Sequence, residues 1–521
     1  MSKIYLTIFC IIILAGCGRS GKDNSNIATE KTLFTLLDSS KTGVLFNNRI
    51  NEDFSKNILN YPAFYNGGGV AVGDINGDGL EDIYFSGNMT SNKLYLNRGN
   101  MKFDDITDQA GVAGRDGGWK TGVNMVDVNG DGKLDIYQCY SGKGDGESRK
   151  NQLFINQGLD SRGVPIFKDE AESYGLADSS YSTQSYFFDY DGDGDLDLFL
   201  VNENPRVLHD LDDAVIHELK KKIDPQVSSK LFRNDNGHFK DVTKEAGLDM
   251  STLSYGLSAA IADINGDGLQ DIYVSNDYSI PDKMYINNGD GTFTDKMRST
   301  LDHITLFSMG NSITDVNNDG LPDIFTLDML PEDNKRQKLL ASLDNYESFN
   351  VNLRNGFYYQ YMRNMLHINN GDGTFSEIGQ LAGISNTDWS WAPLFADYDN
   401  DGWKDLYVTN GYMRDFTNMD VIKFNANYFA SINGNIEPEH VLAMLNNMPS
   451  SNVKNYMFKN NGGGTFTNKG VAWGVDIPSN SNGAVYTDLD NDGNLDLVVN
   501  NINRAAFIYK NISYKGGALA F

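Results

Sequence analysis

The sequence predicts an all-β fold, a seven-bladed β-propeller closed by an N-terminal strand, with helical inserts in the b–c connections of three blades. Three observations predict it. A nine-residue acidic loop recurs seven times, starting at Asp74, Asp127, Asp189, Asp263, Asp315, Asp397 and Asp488. The strands that follow these loops fall one short of seven complete units, and a matching strand stands at the N-terminus. The 53 Gly, 28 Phe and 27 Tyr suit short strands joined by tight turns better than long helices.

Taken in order, the chain opens with Lys3 and the apolar run Ile4 to Leu14, long enough for a signal-peptide core and too short to span a bilayer. The run ends in Leu14-Ala15-Gly16-Cys17, which resembles a bacterial lipobox. The expectation is a signal peptide over 1–16, lipidation of Cys17 and a flexible tether over 17–31. The protein would then be lipid-anchored at a bacterial cell envelope, at the outer membrane, where calcium at extracellular levels fills weak sites. Cys139 is the one Cys of the body, so no disulfide framework is expected.

The repeat unit, expected over 32–511, is a four-stranded meander. In the first copy Val70-Ala71-Val72 enters the loop, Ile83-Tyr84-Phe85 leaves it, Lys93 to Asn97 forms the third strand and Phe103 to Thr107 the fourth. Third strands number seven, but fourth strands within the array number six, headed by Phe103, Phe167, Phe239, Phe293, Phe375 and Phe466. Leu33 to Leu37 followed by Lys41-Thr42-Gly43-Val44 matches Phe103 to Thr107 followed by Gln109-Ala110-Gly111-Val112. A displaced strand of this kind closes a ring and protects edges that an open array leaves bare; a linear solenoid would need capping units, which the sequence lacks. The three longest intervals between loops carry their extra residues between the second and third strands, at 202–229, 328–364 and 410–455. Leu208, Leu211, Val215, Leu219 and Ile223 in the first insert, and Pro438 before Val441, Leu445 and Met448 in the third, predict helices. In a meander all three inserts lie at the end opposite the acidic loops. Residues 512–521 read as a tail or a truncated continuation.

Each loop carries oxygen-bearing side chains at positions 1, 3, 5 and 9 and Gly at position 6. The expected metal ligands are Asp74, Asn76, Asp78 and Asp82; Asp127, Asn129, Asp131 and Asp135; Asp189, Asp191, Asp193 and Asp197; Asp263, Asn265, Asp267 and Asp271; Asp315, Asn317, Asp319 and Asp323; Asp397, Asp399, Asp401 and Asp405; and Asp488, Asp490, Asp492 and Asp496. Calcium prefers six to eight oxygens at flexible geometry, and alternate residues of a tight loop converge on one centre. Position 7 varies freely, as it would if it offered only a backbone carbonyl. An EF-hand is excluded, because position 12 is not Glu and a strand follows. The bland alternative is a set of Asx-rich turns that hold no metal. Up to seven structural calcium ions would offset much of the formal charge of −27, leaving about −13. The surface stays acidic, so nucleic acid is not an expected partner.

These loops and strands resemble FG-GAP or VCBS repeats of bacterial surface proteins and of the integrin α propeller. With the lipobox and the inserts, the chain is similar to bacterial relatives of cartilage acidic protein, which usually continue into an ASPIC/UnbV domain; the sequence stops at Phe521 before one. The resemblance implies that the cations rigidify blades and are not catalytic. No nucleophile elbow, phosphate loop or zinc motif appears, and His209, His217 and His440 are scattered in the inserts. The expectation is a non-enzymatic binding or adhesion module for a glycan or a protein, with Trp119, Tyr181, Tyr186, Tyr255, Phe307, Trp389 and Trp391 on the insert-bearing face as candidate contacts. Packing between blades is the competing role for these aromatics. The alternatives for the whole are a polysaccharide lyase or hydrolase, or an architectural domain of a longer protein.

Overall fold

The computed structural model describes residues 32–206, 208, 211–340, 346–432, 436–451 and 453–513. The expected signal peptide, Cys17, the tether, His209 and residues 514–521 lie outside the described residues.

The fold is all-β, with seven four-stranded antiparallel sheets and a few short helices. Strands a to d of sheet I are Val70–Gly73, Asp82–Phe85, Lys93–Asn97 and Phe103–Asp105. Sheets II to VI repeat this meander from Trp119–Val126, Ser182–Phe188, Gly256–Ala262, Asn311–Thr314 and Ser390–Ala396 onward. Sheet VII takes Ser481–Thr487, Asp496–Asn501 and Phe507–Asn511 from the C-terminal part of the chain and Phe34–Leu36 from the N-terminal part. Its register is that of the other sheets: Phe34 stands opposite Asn511 as Phe103 stands opposite Asn97 and Phe293 opposite Asn287.

The first strands of successive sheets are neighbours from I to VII, and strand a of sheet VII lies beside strand a of sheet I. A cavity of about 190 Å³ is lined by residues from the start of strand a in every sheet, among them Gly69, Gly122, Gln184, Ser258, Gly310, Trp391 and Gly483. The apolar core is divided into seams between adjacent sheets. Tyr84, Val123 and Phe154 fill the I–II seam; Ile83, Tyr95, Leu489 and Ile508 fill the VII–I seam. Phe34 joins the VI–VII seam with Tyr398, Tyr407 and Tyr509. Each such buried aromatic contributes about 1.5–3 kcal/mol.

A one-turn helix follows strand d in most units, as at Thr107–Ala110 and Ala171–Tyr174. Except after Met297–Thr300, where Leu301 follows, a Gly ends the turn in left-handed conformation; at Gly43 (φ +85°) a Cβ would also stand 2.3 Å from the Phe103 carbonyl oxygen. Asp213–Lys221 is the helix expected in the first insert, capped by Asp212, whose carboxylate accepts from the Val215 N–H at 2.8 Å. Pro438–Asn446 is the helix expected in the third, with Pro438 in its first turn. Three insert helices carry no individually assigned pattern in the sequence: Asn334–Leu339 and Tyr346–Arg354 in the second insert and Met419–Ser431 in the third. Val421 is the one buried side chain these three helices contribute. The segment from Asn47 to Gly69 was also not expected as an insert; Ile50, Ile58, Tyr61, Phe64 and Tyr65 bury against Tyr412, Val421, Leu445 and Met448 of the third insert.

Candidate metal loops and the insert-bearing face

In the first loop the Asp74 carboxylate accepts the N–H groups of Gly77, Asp78 and Gly79 at 2.8, 3.0 and 2.7 Å, and Asp78 accepts that of Leu80 at 3.0 Å. Gly79 stands at φ +84°, which lets its N–H turn inward. Asp82 is fully buried and accepts the Ile75 N–H at 3.0 Å and the Asn97 N–H at 2.7 Å. It thereby ties the loop to the end of strand c. All seven position-9 residues do the same, from Asp135 on Val128 and Asn156 to Asp496 on Leu489 and Asn511. Burial pushes these carboxyls up, to about 7 at Asp82, Asp197, Asp405 and Asp496 and about 6 at Asp135, Asp271 and Asp323; the loop's own carboxylates push the same way. The loop concentrates negative charge that a cation would offset.

Where position 3 is Asp, three carboxylates converge with oxygens within 4.8 Å of one another: Asp189, Asp191 and Asp197; Asp397, Asp399 and Asp405; Asp488, Asp490 and Asp492. Asp399 Oδ1 and Asp490 Oδ1 are buried without a hydrogen-bond partner. Such Asp clusters are able to hold a metal ion, and a donor set of oxygens alone suits a hard cation. At the other loops position 3 is Asn76, Asn129, Asn265 or Asn317, which adds a neutral oxygen to the carboxylates at positions 1, 5 and 9.

Neighbouring units are latched at this end. The Asn closing strand c donates its Nδ2 to the position-2 carbonyl of the unit before: Asn156 to Ile75 at 3.1 Å, Asn287 to Tyr190 at 2.8 Å, Asn511 to Tyr398 at 2.8 Å and, from the first unit to the seventh, Asn97 to Leu489 at 2.8 Å. Asn491 at position 4 of the seventh loop donates to the Gly79 carbonyl of the first at 2.9 Å.

Five segments, 74–137, 223–274, 263–326, 356–408 and 433–499, match the FG-GAP-like repeat and together cover more than half of the chain. The chain belongs to the FG-GAP-like repeat proteins. The loop Asp189 to Asp197 lies outside these segments, yet its geometry is that of the others. The chain is similar to cartilage acidic protein 1 of Homo sapiens, 25% identical over 362 residues (66% of this chain, 47% of that protein), and of Mus musculus, 28% identical over 230 residues (42% and 32%). It thus spans a third to about half the length of the curated relatives it matches.

At the opposite, insert-bearing end, Tyr255 and Phe307 are buried. Trp119 packs against Tyr61 and Phe64, and Trp389 stacks on Tyr412 with ring centroids 3.8 Å apart. Tyr181 carries the Arg149 guanidinium 4.2 Å from its ring centre; Tyr186 and Trp391 border the 190 Å³ cavity. A larger cavity of about 460 Å³ opens between the first and second units, lined by Tyr61, Phe64, Asn88, Trp119, Lys120 and Ser141. Burial lowers the Lys120 ammonium to about 8. Behind the wall, buried Glu203 accepts from Tyr61 Oη and Ser141 Oγ, both at 2.5 Å, and burial pushes its carboxyl up to about 7. Asp277, also pushed up to about 7 by burial, holds the same place after strand b in the next unit. The sequence reading missed both acids; the available signal was an acidic residue directly after an otherwise buried strand b.

Proposed function

We propose that the chain is a calcium-stabilised, closed seven-bladed β-propeller that serves as a binding or adhesion module. It is held at the outer membrane of a bacterial cell envelope by a lipid on Cys17 and engages a glycan or protein through its insert-bearing face. The 460 Å³ cavity carries the ligand reading: an aromatic wall of Tyr61, Phe64 and Trp119 beside Asn88, Lys120 and Ser141 suits a sugar ring. Ring closure is supported by the Phe34–Asn511 pairing and the Asn97–Leu489 latch. Calcium is supported by the oxygen-only donor sets, in which the residues at positions 1, 3, 5 and 9 would hold the ion and the ion would offset the buried carboxylates.

A glycan array and an envelope pull-down in calcium test the ligand; Trp119→Ala should abolish the signal, and its persistence would move the site elsewhere. Radiolabelled fatty-acid incorporation, absent in Cys17→Ser, tests the anchor. One observation favours a lyase or hydrolase instead: Lys120, an amine near 8, lines the cavity, and Glu203, an acid near 7, stands directly behind its wall, bonded to the lining residues Tyr61 and Ser141. Polysaccharide turnover lost in Glu203→Gln would establish that reading.

A further inference from the structure

The residue just before the Asn that closes strand c follows the residue at loop position 3. Where position 3 is Asn, it is apolar: Leu96, Ile155, Ile286 and Ile368. Where position 3 is Asp191, Asp399 or Asp490, it is Arg233, Lys459 or Lys510. All seven units obey the rule, so each loop with its strand residue carries the same formal charge across these positions: three Asp, or four Asp and one cation.

The contacts explain the exchange. In three of the Asn loops the position-3 amide donates to the position-5 carboxylate: Asn76 to Asp78 at 3.0 Å, Asn265 to Asp267 and Asn317 to Asp319 at 2.8 Å. An Asp at position 3 has no N–H to give. In the sixth loop Lys459 Nζ supplies it, donating to Asp401 Oδ2 at 2.6 Å while also pairing with Asp399 Oδ2; in the seventh Lys510 Nζ pairs with Asp490 Oδ2 and lies 3.3 Å from Asp492 Oδ2. The other oxygen of each position-3 carboxylate, Asp399 Oδ1 and Asp490 Oδ1, is the buried unpartnered one. Arg233 bonds Asp235 at 2.7 Å and acts on Asp191 through its charge alone.

Resting on the calcium reading, we propose that Lys459 and Lys510 are tethered counter-cations that share the position-3 carboxylate with calcium, the ammonium on Oδ2 and the metal on Oδ1. The chain therefore holds two classes of loop. Among the described residues the first, fourth and fifth loops have no cation paired with their carboxylates and depend on calcium for compensation, the second has Lys133 on Asp131 at 2.7 Å from within the loop, and the sixth and seventh keep part of theirs through the strand lysines when calcium is withdrawn. The seventh of these units is the sheet that joins the two ends of the chain, and the sixth is its neighbour.

The sixth loop can be read singly, because Trp403 occupies its position 7. Terbium luminescence excited through Trp403, in a Trp473→Phe background, and its displacement by calcium report this loop; the remaining three Trp lie at the opposite end. Removing one unit charge beside the ion should shift the half-saturating terbium concentration at this loop about tenfold or more. Lys459→Ile should lower it, Asp399→Asn should raise it, and the double variant should return to within about threefold of the parent, with Lys459→Arg unchanged. In chelator, Lys459→Ile should melt at lower temperature than the parent, and the double variant should not. If the parent binds terbium and calcium but Lys459→Ile alters neither terbium half-saturation nor melting in chelator, the counter-cation role is overturned and the calcium reading stands. If the parent binds neither ion, the calcium reading falls and this role falls with it.

Discussion

The loop-bearing end solves one problem seven times, whereas the insert-bearing end uses each of its contacts once. At the loops a buried carboxylate always meets the same two backbone N–H groups and the same closing Asn. At the other end Arg336 bridges Asp388 and Asp415, Arg414 pairs with Glu52, and Glu203 takes Tyr61 and Ser141, with no counterpart among the described units. The difference separates the contacts a bound cation would govern from those it would not. Damage common to all loops should act on the whole ring of contacts, while damage at the inserts should remain local.

Chelation offers the largest break in this comparison. An ion bound to the native state alone stabilises by mass action, about 2.7 kcal/mol per site at a hundredfold excess over Kd. Calorimetry with calcium and then with EDTA should show melting fall by about 10 °C or more. The same treatment should leave the Glu203-linked pH response unchanged. An equal melting temperature in both buffers would remove the metal from the account of the loop end.

The next effect is a single loop residue. Asp496→Ala would orphan the buried N–H groups of Leu489 and Asn511 and untie the sheet that unites the chain ends. Two such losses cost about 2–5 kcal/mol by chemical denaturation. Asp212→Ala, which removes a helix cap among the inserts, should cost about 1 kcal/mol. Equal costs would erase the distinction between the two ends.

The repeat made the loop end legible. Seven copies in register exposed the spacing of positions 1, 3, 5 and 9, and the fourth strand missing after Asn511 was found at Phe34 because the heading Phe recurs. The short intervals fixed the bare unit, and the long ones located the inserts. The insert end offered no internal comparison. Helix Met419–Ser431 has apolar residues on more than one side, with Met419, Ile422, Phe424 and Phe429 exposed, so no clean stripe marked it. The seating of residues 47–69 against the third insert joins parts of the chain over 340 residues apart, as in the Tyr412 Oη bond to the Pro62 carbonyl, and local patterns do not encode it. Glu203 was hidden for a related reason: among 70 acidic residues its one local mark is its place directly after strand b, and the Tyr61 that buries it comes from a distant part of the chain.

Glu203 carries the third prediction, at the insert end. Unfolded, its carboxyl titrates near 4.5; folded, burial holds it near 7. Between those values the native protein keeps a proton that the unfolded chain has released, so stability is greatest below 4.5 and falls as pH rises to about 7. The loss is on the order of 3 kcal/mol for this group. Denaturant titrations from pH 4 to 8 should show the Glu203→Gln variant losing this component of the slope and gaining stability at pH 8. A slope unchanged by the substitution would show that the carboxyl is not held neutral by its surroundings.

The smallest effect tests the latch between units. Asn97 donates to the Glu81 carbonyl within its own unit at 3.0 Å and to the Leu489 carbonyl of the seventh unit at 2.8 Å. Asn234, at the same place in the third unit, donates at 3.1 Å to the Leu196 carbonyl of its own unit, and among the described residues it makes no bond to the unit before. Both side chains also accept a turn N–H, from Gly99 and Gly237, so the two Ala substitutions remove matched local contacts and differ in the inter-unit bond. Asn97→Ala should therefore cost about 1 kcal/mol more than Asn234→Ala by denaturant unfolding. The excess should also appear as faster amide exchange across the seam of Ile83, Leu489 and Ile508, where the first and seventh sheets meet. Equal costs with uniform exchange would mean that the apolar seam alone joins these sheets, and that the recurring Asn serves the turn beside it.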